Sequence, residues 1–185
     1  VEDFVQAVKA LVRVDRDWVP SEEGTSLYIR PFTIATEAQL GVKASGAYQF
    51  CIIASPSGSY YPTGIDPVRI YVEDEYVRAA PGGTGAVKCG GNYAASLLSG
   101  EKAHRLGYGQ VLWLDGVERR YVEEVGSMNC FFKINGVIHT APTTGTVLPG
   151  ITRMSCIELL EGRGYRVKLD RLPIHEVIRA DRQVT

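Results

Sequence analysis

The chain has no uncharged apolar run near the ~20 residues that span a bilayer. Stretches such as 50–54 (FCIIA) are far too short, so no membrane segment is expected. Charge of one sign is not in excess either: 20 Lys and Arg stand against 21 Asp and Glu, for a net charge of -1. A surface built to bind nucleic acid needs a net basic face, so that class is set aside, although a local basic pocket is not. Cysteine is scarce, and Cys51, Cys89, Cys130 and Cys156 form no C-x-x-C pair, which argues against a zinc ribbon or a disulfide scaffold. Reduced thiols in a cytoplasmic protein are the expectation. His104, His139 and His175 are scattered without metal-ligand spacing, so no metal site is expected. The first residues lack the basic and apolar regions of a secretory signal.

What is present is ordinary globular material: 185 residues, 45% hydrophobic and 22% charged, enough for one domain or two partial ones. Phe4, Val5, Val8, Leu11 and Val12 recur at helical spacing almost from residue 1, with no capping residue before them. The chain opens on Val and stops without a terminating signal, and it reads as an excerpt from a longer protein. Residues 26–36 and 47–55 read as strands, the first with Pro31 at a bulge or edge. Residues 56–66, rich in proline, glycine and tyrosine, read as a linker between a partial domain at 1–55 and a larger one at 67–185. In the second part, 68–72 is a strand, 92–106 a helix, and 110–114 and 120–125 a hairpin around Asp115-Gly116. Residues 130–134 and 137–140 form another hairpin around Asn135-Gly136. Helices at 150–161 and 174–180 flank a strand at 165–169.

The chemistry concentrates around Lys88, in APGGTGAVKCGGNYAAS, with Gly82, Gly83, Gly85, Gly90 and Gly91 close by. A phosphate-binding P-loop requires G-x-x-x-x-G-K-[ST]; here Val87 precedes the lysine and Cys89 follows it, so the magnesium-holding hydroxyl is missing. The dinucleotide pattern G-x-G-x-x-G is absent too. A lysine in a tight apolar setting would be shifted toward the neutral amine, the form that makes an imine with a carbonyl. An exposed loop lysine fits the position equally well.

Three ordered motifs decide between them: Lys88-Cys-Gly-Gly-Asn92-Tyr93, Glu124-Val-Gly-Ser-Met-Asn129 and Leu148-Pro-Gly-Ile-Thr-Arg153. With SLYIRP at 26–31 and VLWLDG at 111–116, they resemble the fold-type IV pyridoxal-phosphate enzymes, the class IV aminotransferases, and most closely the branched-chain amino-acid aminotransferases. The resemblance runs through almost the whole chain. It implies a two-domain mixed α/β fold, with the end of the small domain, the linker and most of the large, cofactor-binding domain in this chain. The implied reaction is transfer of the amino group of Leu, Ile or Val to 2-oxoglutarate by a ping-pong route, with pyridoxal 5'-phosphate as cofactor. The implied partners are those amino and 2-oxo acids and, in the whole protein, a second copy of the chain.

The resemblance also assigns roles. Lys88 would bond the cofactor aldehyde and then shuttle the substrate proton. Tyr93 would hydrogen-bond the ring oxygen, and Glu124 would keep the ring nitrogen protonated. Glu123, next in the chain, would point to the opposite strand face as a solvated charge. Ile151 and Thr152 would offer free backbone amides at a helix start to the phosphate, with Ser127 nearby. Tyr28 and Arg30, on one strand face, would form an aromatic wall and a group near the substrate carboxylate. Tyr60 would belong to a loop that closes over the substrate. A phosphate-binding arginine upstream and a Gly-Thr-Gly-Thr loop downstream, both part of the family pattern, are not in this sequence, so the 185 residues alone are expected to be weakly active or inactive. Two other readings stay open: a D-amino-acid aminotransferase or aminodeoxychorismate lyase, and a non-catalytic homologue that acts as a binding partner.

Overall fold

In the computed structural model, residues 1–61 and 64–182 are described, and the chain divides into two units, 1–66 and 67–185. Of the expected linker, residues 62–63 lie outside the described residues.

The first unit begins with α1 (Glu2–Val14), which has no side-chain cap, as the lack of a capping residue implied. A single 3-10 turn follows at Arg16–Trp18. The strands β1 (Ser26–Ala35) and β2 (Tyr48–Ser57) pair antiparallel along their full length, from Ser26 opposite Ser57 to Ala35 opposite Tyr48. The strand β2 runs through Pro56 and ends at Ser57. A two-stranded ladder has only edge strands, which is why Pro31 and Pro56 are tolerated in it. Phe4 of α1 packs edge-on to Phe50 of β2, with ring centroids 4.4 Å apart.

The second unit is built on two small sheets. The first has the order β3 (Ile70–Glu73), β4 (Gln110–Leu114), β5 (Val122–Val125), β6 (Met128–Asn129). Its β3 and β4 run parallel, so the chain between them must cross over, and this crossover carries the glycine-rich loop and two helices. The second sheet is β7 (Phe132–Ile134), β8 (Val137–Thr140) and β9 (Arg166–Leu169), with β8 and β9 parallel and joined through α4 (Ile151–Gly162). The helix α5 (Ile174–Arg182) follows. The expected turn at Asn135-Gly136 is present: both residues have positive φ, 49° and 78°, as a two-residue hairpin of this twist requires. One expected helix is two. The helices α2 (Gly90–Ala94) and α3 (Leu97–Arg105) are separated at 95–96, where the Ser96 hydroxyl donates to the Tyr93 carbonyl and competes with the helical ladder.

Burial is deepest along β4. Val111, Leu112, Trp113 and Leu114 are all buried, with Ala103 and Tyr108 packed on one side and Val122, Phe132, Ile174 and Val177 on the other. The Trp113 indole N–H donates to the Gly126 carbonyl at 3.0 Å, which fastens the β5–β6 turn to β4. The expected β4–β5 hairpin has a longer loop than its Asp115-Gly116 signal implied, because Asp115 organises it. Its carboxylate accepts the backbone N–H groups of Val117, Glu118, Arg120 and Tyr121 at 2.8–3.2 Å.

Burial works to raise the Asp115 pKa, but these four amides outweigh it and lower it from 3.8 to about 2. A carboxylate with a depressed folded-state pKa stabilises the fold above its unfolded value, and that contribution disappears as pH falls. A drop of this size corresponds to about 2 kcal/mol. Thermal denaturation between pH 5 and pH 2 should therefore show the wild-type protein losing about 2 kcal/mol that Asp115→Asn lacks at pH 5 and does not lose on acidification.

Candidate active site

Lys88 lies at the end of the glycine-rich loop, just before α2. A buried asparagine shapes that loop. The Asn92 carboxamide donates to the carbonyls of Thr84 and Val87 at 2.7 and 2.9 Å, and accepts the Thr84 hydroxyl at 2.7 Å. Residues 84–87 are thereby tied to α2, and Lys88 is carried between two fixed points. The side chain of Lys88 is exposed, the second of the two settings its position allowed: the glycines around it leave space rather than fill it. Its ammonium sits 4.8 Å from the centre of the Tyr93 ring. Tyr93 is partly buried, and its hydroxyl is buried without a hydrogen-bond partner among the described residues.

Glu124 is 1% exposed and fully committed. Its Oε2 meets Arg78 Nε at 2.8 Å, and its Oε1 accepts the Asn129 side-chain N–H and the Leu148 backbone N–H, both at 2.9 Å. Burial pushes the Glu124 carboxyl above the usual range, and Arg78, the Leu148 amide, Lys88 and Arg153 pull the other way. With a guanidinium at hydrogen-bond distance and two more donors on the other oxygen, the ionised carboxylate is the form this arrangement holds.

The strict alternation that would send Glu123 and Glu124 to opposite faces is interrupted. Leu112 pairs with Val125 and Leu114 with Val122, so both glutamates lie against Trp113 in a β-bulge. Glu123 is therefore not a solvated surface charge. It is 8% exposed and accepts the Thr146 hydroxyl.

The amides of Ile151 and Thr152 stand at the start of α4, whose N-cap is Gly150 with no side-chain cap; both residues are exposed. Gly150 admits no other residue easily, since a Cβ there would collide with Asn129 Oδ1. Asn129 thus touches both the Glu124 carboxylate and the α4 start. Ser127 is exposed in the tight turn after Gly126. In the first unit, Tyr28 and Arg30 share the outward face of β1, and Arg30 donates to the Tyr28 hydroxyl at 2.5 Å. Tyr60 is 70% exposed and packs edge-on to Tyr61 at 4.9 Å.

Sequence reasoning missed Arg78. It is buried, ten positions before Lys88, and nothing local marks it except that a fully buried arginine requires a partner. It also left Asn92 and Asn129 without roles, although both lie in the motifs. Among the described residues no cluster of three His, Cys, Asp or Glu side chains is placed to hold a metal ion, and no helix is long and apolar enough to cross a membrane.

The description "Amino-transferase class IV" belongs to the family whose pattern matches residues 1–184. The chain is 58% identical over 180 residues to branched-chain-amino-acid transaminase 1 of Bacillus subtilis, covering 97% of this chain and 51% of that protein. It is 48% identical over 180 residues to the branched-chain-amino-acid aminotransferase of Mycolicibacterium smegmatis, covering 95% of this chain and 49% of that protein. Among solved structures, the branched-chain aminotransferase of Thermoproteus uzoniensis with norvaline superposes with a TM-score of 0.82 at 27% identity, over 95% of this chain and 57% of that one. A T.th. branched-chain amino acid aminotransferase with pyridoxamine 5'-phosphate gives 0.76 at 30% identity, over 91% of this chain and 53% of that one. The chain spans about half the length of the curated relatives it matches. With the family pattern matched along nearly its whole length, and with the mixed α/β fold that its structural neighbours share, the chain belongs to the class IV amino-transferase family.

Proposed function

We propose that the whole protein is a pyridoxal-phosphate-dependent branched-chain amino-acid aminotransferase that moves the amino group of Leu, Ile or Val to 2-oxoglutarate. The observation that carries this reading is an exposed Lys88 amine 4.8 Å from the centre of the Tyr93 ring, in the same unit as a buried Glu124 that Arg78 holds at 2.8 Å. The residues fit the cofactor. The Tyr93 hydroxyl is buried and unpartnered among the described residues, the α4 start has no side-chain cap, and Gly150 keeps the backbone there free of a side chain.

When bound, pyridoxal phosphate supplies an aldehyde and a ring that accepts electrons from the substrate carbon. Lys88 would provide the amine that bonds the aldehyde and would carry the proton to and from the substrate α-carbon. Its exposure suits both tasks, since the amine must meet a substrate. Glu124 holds a proton at the ring nitrogen, and Arg78 keeps Glu124 charged for that purpose. Tyr93 donates to the ring oxygen. The amides of Ile151 and Thr152 bind the phosphate at the positive end of the α4 dipole, near Ser127. The family resemblance gives three residues of the first unit substrate roles: Tyr28 would be an aromatic wall, Arg30 a group for the substrate carboxylate, and Tyr60 part of a mobile loop. In this reading residues 1–55 belong to the small domain, 56–66 to the linker and 67–185 to the large domain. The reading extends to a homodimer in the cytoplasm; the four free, partly buried cysteines suit a reducing compartment.

Turnover of L-leucine, D-alanine and a chorismate-type amine by the whole protein tests the assignment. L-leucine should be the best of the three, and leucine as the poorest substrate would overturn it. Lys88→Ala should lower kcat by about 10²–10⁴-fold or more, the range for losing a proton-transfer group. Glu124→Gln should act twice. It should slow turnover by about 10²-fold through the lost charge, and it should destabilise the fold by about 3–5 kcal/mol because Arg78 stays buried without its counter-charge. Denaturant unfolding of the cofactor-free protein measures the second effect separately.

A further inference from the structure

Glu123 and Thr146 have no part in the proposed chemistry, yet both are buried, at 8% and 4% exposure. The Thr146 hydroxyl donates to Glu123 Oε1 at 2.5 Å, and Glu123 Oε2 is buried without a partner among the described residues. The Thr146 carbonyl accepts Arg78 Nη1 at 2.7 Å, while Arg78 Nε meets Glu124 at 2.8 Å. Gly85 presses on the same carbonyl: a Cβ there would lie 2.6 Å from the Thr146 oxygen. A chain of contacts therefore runs from Glu123 through Thr146 and Arg78 to Glu124.

We propose that Thr146, anchored by Glu123, is a positioning residue that fixes the Arg78 guanidinium against Glu124 and so sets the charge Glu124 presents. The consequence for a cofactor ring rests on the function proposed above; the coupling to Glu124 does not. A guanidinium is a rigid planar fork, so two contacts from different sides of it, Nε to Glu124 and Nη1 to Thr146, fix its orientation. With the Thr146 contact loosened, Arg78 keeps only one short contact and two long ones, from Nη1 and Nη2 to the Gly85 carbonyl at 3.4 and 3.5 Å.

Glu123 suits the role of a neutral anchor. Burial pushes its carboxyl up; the Asp115 and Glu124 charges add to this, and Thr146 and Arg78 oppose it. Burial favours the uncharged form of Glu123, which lessens its repulsion of the adjacent Glu124. Among the described residues the charges that act on Glu124 include Arg78, Lys88 and Arg153, with Glu123 adjacent and the Cys130 thiol close enough to be raised by the Glu124 charge.

The test uses the whole protein, cofactor-free, with ¹³C-labelled glutamate and ¹⁵N-labelled arginine, comparing Thr146→Val, Thr146→Ser, Glu123→Gln and Glu123→Met. In Thr146→Val the Glu124 carboxyl titration midpoint should rise by about one pH unit, and the Arg78 Nε–H signal should exchange faster with water. Thr146→Ser should restore both, and Glu123→Gln, which keeps a neutral acceptor, should match the wild type. If Thr146→Val fails to fold, Glu123→Met removes the anchor without altering Thr146, and the same shift is expected. A lowered Tm with the Glu124 midpoint and the Arg78 signal unchanged would overturn the proposal and leave Thr146 a purely structural residue. Adding pyridoxal 5'-phosphate separates the two readings. Wild-type protein that binds none defeats the proposed function, while the carboxyl titration still decides the role of Thr146.

Discussion

The organisation of the second unit depends on one buried ion pair, Arg78 with Glu124, each side chain 2% exposed. Taking two charges out of water costs several kcal/mol per ion after relaxation, and the mutual attraction offsets this only with good geometry and further hydrogen bonds. The surroundings supply both. The guanidinium also donates to the Thr146 carbonyl, and the carboxylate also accepts from Asn129 and Leu148. Satisfying this pair fixes the glycine loop on one side and the segment 146–150 on the other. The start of α4 is then set by Asn129, which bonds both the Glu124 carboxylate and the Leu148 carbonyl.

This arrangement makes sense as preorganisation. A carboxylate meant to hold a proton on a ligand must stay charged in a dry site and must not move when the ligand arrives. The charge is held by Arg78 and the position by three donors. The amine that must move, Lys88, is instead left exposed on a loop whose flanks Asn92 has tied down. Rigidity and freedom are thus distributed to the two groups according to what each would do.

Much of this was legible in the sequence where the determinant is local. The Asn135-Gly136 turn is fixed by two adjacent residues that accept positive φ, and Tyr28 with Arg30 share a face because a strand has period two. The family motifs singled out Lys88, Tyr93 and Glu124 as candidates for the same reason, since each carries its own short context. What escaped depends on residues distant in sequence. The Arg78–Thr146 contact joins positions 68 apart, and no pattern near either one announces it. The bulge opposite Trp113 overrode strand alternation and buried Glu123, and a bulge leaves no composition signal in VEEV. The break between α2 and α3 came from a Ser96 hydroxyl competing with the helix ladder, a local cause that periodicity alone does not weigh.

We propose that Glu124, held ionised by Arg78, would maintain a proton on the ring nitrogen of a bound pyridoxal phosphate. The most direct measurement is the ¹⁵N chemical shift and N–H coupling of ring-labelled pyridoxal 5'-phosphate in the whole protein. A protonated ring nitrogen across the neutral pH range, lost in a protein whose Glu124 is uncharged, is the result the account predicts. An unprotonated nitrogen in the wild type, or a protonation state indifferent to Glu124, would contradict it.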